Sequence, residues 1–540
     1  MDLRNGLKKN YLTLGEILLI VGLACVPLFM SFPYRVNIFL SWEGAYRMSR
    51  GEIPFRDFGL PLGGMYWVIP GLFFKIFGAQ MITLVKAQVL INILSGLAFR
   101  SILKSLEVNP GVRFLSVVLY CISFSFFNFW PWYNHTVIVF EMIALAFLLK
   151  YMFGMPRRWY WLPVSAFFAI CSFLTKQDSG ALAILLCLSL MVYFSFAGKN
   201  WKGLLQFTGS LALIGIAMIA PLTGFSFGYW FNHGQPPHNS RFSLFEILND
   251  FFLYSQWIKF YLLIIVLLSI AWFGHWKQLL ADRRKAVFLL LTLGILAEAA
   301  ILQVTSYTPP DNNIFYHSFA FAFILSMLAW FLKIDYTRLR PLVVTLAGLL
   351  LWWSGIFWKY ISRIAERALP PAVASAGSGE NVVNRQTYMI SHEAPEVTDA
   401  DWTYSGLESF DRIYMPKNTV EGIHRLLKNP ILTNKPELRV LNMSELTPLA
   451  KEVPFNLEKG PEVPLWYHLG VAMFNKQAEK YEKRISDKYY DLVLFEYIPN
   501  LNNFYPFRVR DSLQLHYQKI DSFAAPRRGD TQGLIEIYAK

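Results

Sequence analysis

Charged residues are scarce in this chain of 540 residues. They make up 16% of it, against about 25% in an average soluble domain. Hydrophobic residues account for 54% and aromatic residues for 17%. This balance excludes an ordinary soluble enzyme and indicates a membrane protein with a polar appendage.

Signatures of several other protein classes are also missing. The four cysteines all fall in apolar segments, so they predict neither a disulfide framework nor a metal site. The net charge of +13 includes no contiguous basic stripe with interleaved aromatics, which argues against a nucleic-acid partner. No internal repeat is visible, which weakens an inverted-repeat transporter interpretation. No acidic metal-binding cluster occurs in the loops between apolar segments, so we predict a metal-independent protein without cofactors.

Apolar segments dominate the first two-thirds of the chain. Each is close to the ~20 residues that cross the hydrocarbon core of a bilayer. We predict eleven transmembrane helices, near 12–32, 80–104, 109–129, 135–154, 159–175, 179–198, 202–223, 256–275, 285–303, 314–333 and 340–361.

Basic residues between these segments set the predicted orientation. Six clusters fall on one side of the predicted membrane, and positive clusters mark cytoplasmic loops. They are Arg4, Lys8, Lys9; Arg100, Lys104, Arg113; Lys150, Arg157, Arg158; Lys199, Lys202; Lys277, Arg283, Arg284, Lys285; and Lys333, Arg338, Arg340. The N-terminus is therefore predicted inside and the C-terminus outside. The opposite loops are rich in aromatics, histidine, asparagine and isolated acids, so we expect the active site on the outer face.

The composition changes after the last apolar segment. Residues 1–367 form the predicted transmembrane domain, 368–380 an Ala-, Pro-, Ser- and Gly-rich linker, and 381–540 a small extracytoplasmic α/β domain. Strands are predicted at 438–442, 490–496 and 534–538, with helices at 467–487 and 504–515. The domain has neither a Gly-x-Gly-x-x-Gly motif nor a P-loop, so we assign it no nucleotide and predict an accessory role.

The first exterior loop, residues 33–79, carries the most specific pattern. It contains three acids and three arginines in a stretch broken by glycines and prolines: Glu43, Glu52, Asp57, Arg47, Arg50 and Arg56. Residues 62–77 are apolar but only long enough for one short helix, which is typical of an interfacial or re-entrant segment. Polar groups against a membrane are costly unless they pair or serve a site.

The loop resembles the first exterior loop of the GT-C glycosyltransferases, such as the protein O-mannosyltransferases and lipid A aminoarabinose transferases. The matching residues are Glu43-Gly44-x-Tyr46, Gly51-x-x-Pro54-Phe55-Arg56-Asp57-Phe58 and Phe77-Gly78. Trp42 replaces the first acid of the family's acidic pair, and Gly63-Gly64 replaces its Gly-Pro. The resemblance covers roughly the first two-thirds of the chain, and only the loop is specific.

The resemblance implies a bacterial inner-membrane enzyme that takes a monosaccharide from a polyprenyl-phosphate carrier. It implies inversion in a single displacement and an acceptor glycan, lipid or protein outside the cytoplasm. The base would be a carboxylate early in the loop, which favours Glu43, whereas the intact Arg-Asp-Phe motif favours Asp57. Either acid could instead pair with a loop arginine, and we expect Glu52 to be a solvated charge.

Further candidates stand at the outer ends of other segments. Cations suit a leaving phosphate, which suggests roles for Arg47, Arg56 and Arg241. Lys176 and Gln177 match a Lys-Gln of related enzymes, although a lysine there can simply snorkel to the interface. His135, Tyr316 and His317 are predicted to line one cleft, or to act only as interfacial anchors.

Two other function classes stay open at this point. A transporter or flippase for a lipid-linked glycan is compatible with many spans and intramembrane acids. A non-catalytic envelope scaffold is compatible with the replacement of an acid by Trp42. Neither of them requires the acid-arginine pattern of the first loop.

The predicted orientation is directly testable. A cysteine at Ser378 or Asn442 should react with an impermeant thiol reagent in intact spheroplasts, because both positions are predicted to be outside. A cysteine at Asn200 should stay unlabelled until the membrane is opened. The reverse pattern would contradict an active site on the outer face.

Overall fold

The computed structural model describes residues 2–34, 38–59, 61–125, 128–225, 243–270, 282–305, 315–355, 357–358, 402–433, 438–453, 455, 457–465, 467, 473–499, 505–526 and 533–540. The predicted linker at 368–380 and the candidate Arg241 lie outside these ranges.

Helices make up most of the described N-terminal part. They are α1 Asp2–Cys25, α2 Ile38–Ser49, α3 Val68–Phe77, α4 Met81–Ser105, α5 Pro110–Tyr120, α6 Tyr133–Phe153, α7 Trp161–Phe173, α8 Gln177–Gly198, α9 Lys202–Thr223, α10 Leu244–Tyr254, α11 Gln256–Ile270, α12 Arg283–Thr305, α13 Phe315–Phe331 and α14 Leu339–Trp352. Short 3-10 turns at Val26–Phe29 and Met65–Trp67 extend α1 and precede α3. The start of α5 follows directly from the sequence, because Asn109 caps the Gly111 amide and Pro110 takes the first helical position.

The centre of the helical part is α6. It packs against α4, α7 and α8, and most of its side chains are buried in one large apolar core. Outer helices such as α9 and α11 instead expose Leu213, Ile216, Leu263 and Val266. A helix set with a buried centre and an apolar outer surface is what a bilayer environment requires.

Six helices in the described part are long and apolar enough to cross a membrane. They are Tyr11–Phe29, Met81–Ser105, Tyr133–Phe153, Gln177–Gly198, Lys202–Thr223 and Arg283–Thr305; α10 and α11 add a seventh if they form one span, although they meet at a 79° bend. Predicted spans at 109–129, 159–175, 314–333 and 340–361 coincide with shorter apolar helices. The count of eleven therefore stays a prediction, and the short helix expected within 62–77 is present as Met65–Phe77.

Some of the predicted cytoplasmic charges have structural partners. Glu16 of α1 is fully buried and pairs with Arg100 of α4 at 2.6 Å and Arg113 of α5 at 2.8 Å. A buried carboxylate needs such partners because its desolvation is expensive. This pairing ties three helices together at the end opposite to the first loop.

The C-terminal part contains both strands and helices. Its strands are β2 Trp402–Tyr404, β3 Ile413–Pro416, β4 Val440–Met443, β5 Leu492–Tyr497, β6 Gln518–Ala524 and β7 Leu534–Ala539, and its helices are α15 Lys417–Leu427, α16 Pro430–Thr433, α17 Leu449–Glu452, α18 Phe474–Ser486 and α19 Phe507–His516. A four-stranded sheet has the order β4-β5-β7-β6, with β4 parallel to β5 and the other pairs antiparallel. The sequence analysis missed β2, β3 and β6, which are short or rich in polar residues.

The C-terminal domain packs directly onto the first exterior loop. Strand β1, Phe32–Pro33, pairs in parallel with β3 in a second sheet of order β1-β3-β2. The Tyr34 hydroxyl donates to the backbone carbonyl of Glu445, and one apolar core contains residues from both α2 and the C-terminal domain. The loop is therefore enclosed between the helix bundle and the domain.

Close packing of α2 on the loop makes Gly44 a sensitive position. A Cβ at Gly44 would lie 2.0 Å from the indole ring of Trp67, which is itself buried and donates to the Leu40 carbonyl at 3.0 Å. We expect Gly44→Ala to destabilise the protein by about 1–3 kcal/mol, since overpacking has this typical cost. Unfolding in detergent measures it. Gly22→Ala is the control, because no described residue outside the backbone of its own helix lies within 4 Å of its added methyl group, and an equal loss there would contradict the packing argument.

Candidate active site

Helix α2 presents Glu43 and Arg47 one turn apart on the same face. The Arg47 Nε donates to Glu43 Oε1 at 2.9 Å, and Nη2 lies 2.9 Å from the same oxygen. Among the residues that the structure describes, no donor contacts the other carboxyl oxygen of Glu43. Glu43 therefore has one oxygen held by the arginine and one not engaged.

Glu52 completes a buried charge cluster around Arg47. The chain turns sharply at Gly51, which has a φ of +83° that favours glycine, and the Glu52 amide then donates to the Arg47 carbonyl at 3.0 Å. Glu52 Oε2 accepts from Arg47 Nη1 at 2.9 Å, and both side chains are almost fully buried. The sequence prediction of a solvated Glu52 is wrong, because the turn directs its carboxylate back onto the arginine.

The environment of Glu43 makes its ionisation harder than that of an exposed glutamate. Burial raises the pKa of the Glu43 carboxyl, the Arg47 ion pair opposes this effect, and the negative charge of Glu52 adds to the rise. A carboxylate with a raised pKa is a stronger base than an exposed one and suits proton abstraction near neutral pH.

Asp57 has a different environment. Its Oδ2 accepts from the Ile53 amide at 2.8 Å and from Arg56 Nη2 at 2.6 Å. Burial alone would raise the pKa of Asp57, but the Arg56 hydrogen bond and the Ile53 amide outweigh it and hold the pKa below its ordinary value. These contacts close the turn at 53–57, so the geometry fits a loop-holding role.

Lys176 and Gln177 lie where α7 ends and α8 begins, against the same loop. Lys176 is buried, with Nζ 3.5 Å from Asp178 Oδ2 and 5.9 Å from the Tyr133 ring centroid. Gln177 donates to the Pro61 carbonyl at 3.3 Å. Two loop amides, of Gly63 and Met65, donate to carbonyls at the end of α7. The loop is thereby fixed to the membrane helices beside the lysine.

A row of aromatic rings extends from the Arg47 guanidinium to the Lys176 ammonium. Arg47 lies over the Phe58 ring at 5.5 Å, and Lys176 lies over the Tyr133 ring at the other end. The intervening ring pairs have centroid distances of 4.6–6.0 Å and are Phe58–Trp67, Trp67–Tyr66 and Tyr66–Tyr133. The row brings together residues of the loop, α2, α6 and α8 that are separated by up to about 130 positions in the chain.

The two candidate histidines occupy separate surroundings. His135 of α6 is buried, stacks on Phe124 and lies 3.3 Å from Gln88 of α4, while its Nε2 has no partner in the described ranges. His317 of α13 contacts the Tyr261 hydroxyl at 2.7 Å and stacks with Tyr316. Nothing in the described ranges joins the histidines directly, so the shared cleft stays a prediction.

Two site residues were not predicted from the sequence because they lie more than 400 positions from their partners Arg47 and Glu52. The Glu458 carbonyl accepts from Arg47 Nη1 at 2.9 Å, and Lys459 Nζ lies 3.2 Å from Glu52 Oε1. The Lys459 contact is an ion pair without good hydrogen-bond geometry. The only local signal is the Glu458-Lys459-Gly460-Pro461 turn composition, which does not indicate a partner.

The described chain is thus a mostly helical protein that has several apolar helices of membrane-spanning length and a C-terminal α/β domain with few strands. No protein-family model and no curated protein matches it. Among solved structures, it is similar to ArnT from Cupriavidus metallidurans bound to undecaprenyl phosphate, at 12% identity over 98% of each chain with a TM-score of 0.46. It is also similar to the apo state of that ArnT, at 13% identity over 97% of this chain and 98% of the other, with a TM-score of 0.48. With both TM-scores below 0.5, neither similarity bears on the chemistry of the site.

The charge cluster predicts very different consequences for two arginines of the loop. Arg47→Met should lower the free energy of unfolding by about 3–5 kcal/mol, because it leaves Glu43 and Glu52 buried without their common partner. Arg56→Met should have a much smaller effect, because the Arg56 side chain is 44% exposed. Denaturant unfolding in detergent compares the two, and equal losses would contradict the central place of Arg47.

Proposed function

We propose that the protein is an inner-membrane glycosyltransferase that moves a monosaccharide from a polyprenyl-phosphate carrier to an acceptor outside the cytoplasm. The observation that carries this proposal is the state of Glu43. It is a largely buried carboxyl with a raised pKa, held through one oxygen by Arg47 at the end of a membrane bundle. The acceptor is a glycan, a lipid or a protein.

The proposed reaction is a single displacement. The acceptor hydroxyl oxygen bonds to the anomeric carbon of the sugar, the bond from that carbon to the phosphate oxygen breaks, and polyprenyl phosphate leaves with the electron pair. The hydroxyl proton passes to Glu43 Oε2. Attack opposite to the leaving group inverts the anomeric configuration.

Contacts in and near the cluster indicate different roles for the basic residues. Arg47 donates to Glu43, Glu52 and the Glu458 carbonyl, so its role here is to orient the base rather than to hold phosphate. Lys176 lies at the outer start of α8 beside the aromatic row and is our choice for the carrier phosphate. Arg56 is more exposed, and its guanidinium is a second phosphate candidate.

A lipid carrier fits the surface beside this site. Helix α3 lies in the last part of the loop and exposes Val68, Leu72 and Ile76, which share one face at intervals of four residues. Another part of the helix packs on α2 at Gly71, where an added Cβ would lie 3.3 Å from the Ala45 carbonyl oxygen and 3.4 Å from the Met48 Cβ. An exposed apolar stripe next to the cluster gives the isoprenoid chain a place to lie along the protein while its phosphate reaches the site.

A lipid-linked glycan transporter is the competing function, and two acids within the bundle favour it. Glu141 of α6 and Glu298 of α12 are buried and interact electrostatically, and in the described part no donor contacts their carboxyl oxygens. Acids inside spans often mark transport paths. Movement of an intact lipid-linked glycan without transfer of its sugar would identify this alternative.

The two acids of the loop separate the proposal from its rivals. Glu43→Gln keeps size and hydrogen bonding but removes the base, so we expect transfer of radiolabelled sugar to slow by at least about 100-fold. Asp57→Asn removes only a charge that holds the turn, and its rate should change mildly. Both variants must reach the membrane in normal amounts.

Near wild-type transfer by both variants would show that this loop is not the catalytic centre. A large loss in Asp57→Asn with normal activity in Glu43→Gln would assign the base to Asp57. The latter result would preserve the enzyme class but overturn the assignment.

A further inference from the structure

The C-terminal domain reaches into the charge cluster with two consecutive residues. Glu458 offers its backbone carbonyl to Arg47, and Lys459 places its ammonium 3.2 Å from Glu52. Arg47 and Glu52 are the two charged groups that act on the ionisation of the proposed base. The cluster therefore has members from both parts of the chain.

The segment that carries these residues is firmly attached to the loop. The Gly460 amide donates to the Asp57 carbonyl at 2.9 Å, and the Gly59 amide donates to the Val463 carbonyl at 2.7 Å. The Leu465 amide donates to the Gly59 carbonyl at 3.0 Å. These bonds form a short parallel pairing between the loop and residues 460–465, so the position of the segment depends on the loop and the loop depends on the segment.

The segment is equally well held within its own domain. The Glu458 carboxylate pairs with Arg484, and the Tyr490 hydroxyl donates to Glu458 Oε2 at 3.0 Å. Tyr490 is itself buried and lies two residues before the buried strand β5. The Glu458 carbonyl and the Lys459 stem are thus presented from a rigid base.

The charges of the cluster balance only when Lys459 is counted. Glu43 and Glu52 carry two negative charges, and Arg47 supplies one positive charge between them. Lys459 supplies the second, on the Glu52 side, and also acts on Asp57, which Arg56 already neutralises. Because Glu52 disfavours ionisation of Glu43, a cation that compensates Glu52 helps Glu43 to remain a carboxylate.

We propose that Lys459 is a positioning residue of the active site, supplied by the C-terminal domain, that keeps Glu52 compensated so that Arg47 can hold Glu43 as the base. The inference rests on the proposed glycosyl transfer. It also replaces the sequence-based expectation of an accessory domain, because the segment 458–465 contributes directly to the cluster.

The test is the pH dependence of sugar transfer by the full-length protein in Lys459→Met. With Glu52 uncompensated, Glu43 should take up a proton more readily, so the pH at which transfer falls to half should rise. We expect a rise of a few tenths of a pH unit to about one unit, since Lys459 is half exposed and partly screened. Lys459→Arg keeps the charge and should restore the wild-type profile.

Lys476→Met is the matched control. Lys476 pairs with Glu462 on the same segment and is 66% exposed, but it has no contact with the cluster among the described residues. Its profile should equal that of the wild type. A purely structural role for Lys459 would lower the rate at every pH without moving the profile.

Each outcome separates this inference from the proposed function. An unmoved profile in Lys459→Met, or an equal displacement in Lys476→Met, would overturn the role of Lys459, while the large loss of rate in Glu43→Gln would still support the proposed function. Absence of transfer by the wild type, or full transfer by Glu43→Gln, would instead overturn the proposed function itself.

Discussion

A buried arginine shared by two carboxylates is the interaction on which the candidate site of this protein depends. Arg47 is only 3% exposed and contacts Glu43, Glu52 and the Glu458 carbonyl at 2.9 Å each. A guanidinium in such a place is tolerable only if its donors are all used. Its partners come from α2, from the turn after α2 and from the C-terminal domain, so one desolvated charge fixes the relative positions of all three.

Burial of this ion cluster also explains how polar side chains can be held in place at the end of an apolar helix bundle. The loop is attached to the ends of α7 and α8 through backbone bonds of Gly63 and Met65, and to the C-terminal domain through Gly59. Its carboxylates therefore sit in a largely dehydrated environment rather than in a mobile loop. Burial is what raises the pKa of Glu43 and distinguishes it from Asp57, whose carboxylate is occupied by the turn that it closes.

The local sequence pattern was sufficient to predict the long helices and part of the candidate site, but not the number of spans or the partners that lie far along the chain. Hydropathy predicted the long helices, and the acids and arginines of the loop indicated Glu43, Arg47 and Asp57 as candidate site residues. Span number is harder, because several apolar segments form helices of 17 residues or fewer, and length alone does not say whether these cross the bilayer. Partners far along the chain leave no local trace, which is why Lys459 was not predicted. Glu52 was predicted to be solvated because the residue pattern indicates a turn at Gly51 but not that this turn directs the carboxylate onto Arg47.

Prediction of the C-terminal domain is limited in the same way, because part of its structure depends on contacts that are distant in the chain. Strands β4, β5 and β7 alternate or run apolar and are readable from the sequence, whereas β1 and β3 are short and each ends in a proline. Their pairing exists because Phe32 and Ile413 share one buried core with α2. A domain that looks separable by composition is thus joined to the loop by sheet pairing, core packing and charge.

The most direct test of the account is the pH dependence of single-turnover sugar transfer by the wild-type protein, measured with a polyprenyl-phosphate donor. If the base is a buried Glu43 carboxyl, transfer should fall with a one-proton dependence as the pH drops through a value above 4.5, the ordinary pKa of a glutamate. A rate that stays constant down to pH 4.5 or below in folded protein would contradict the assignment of Glu43 as the base.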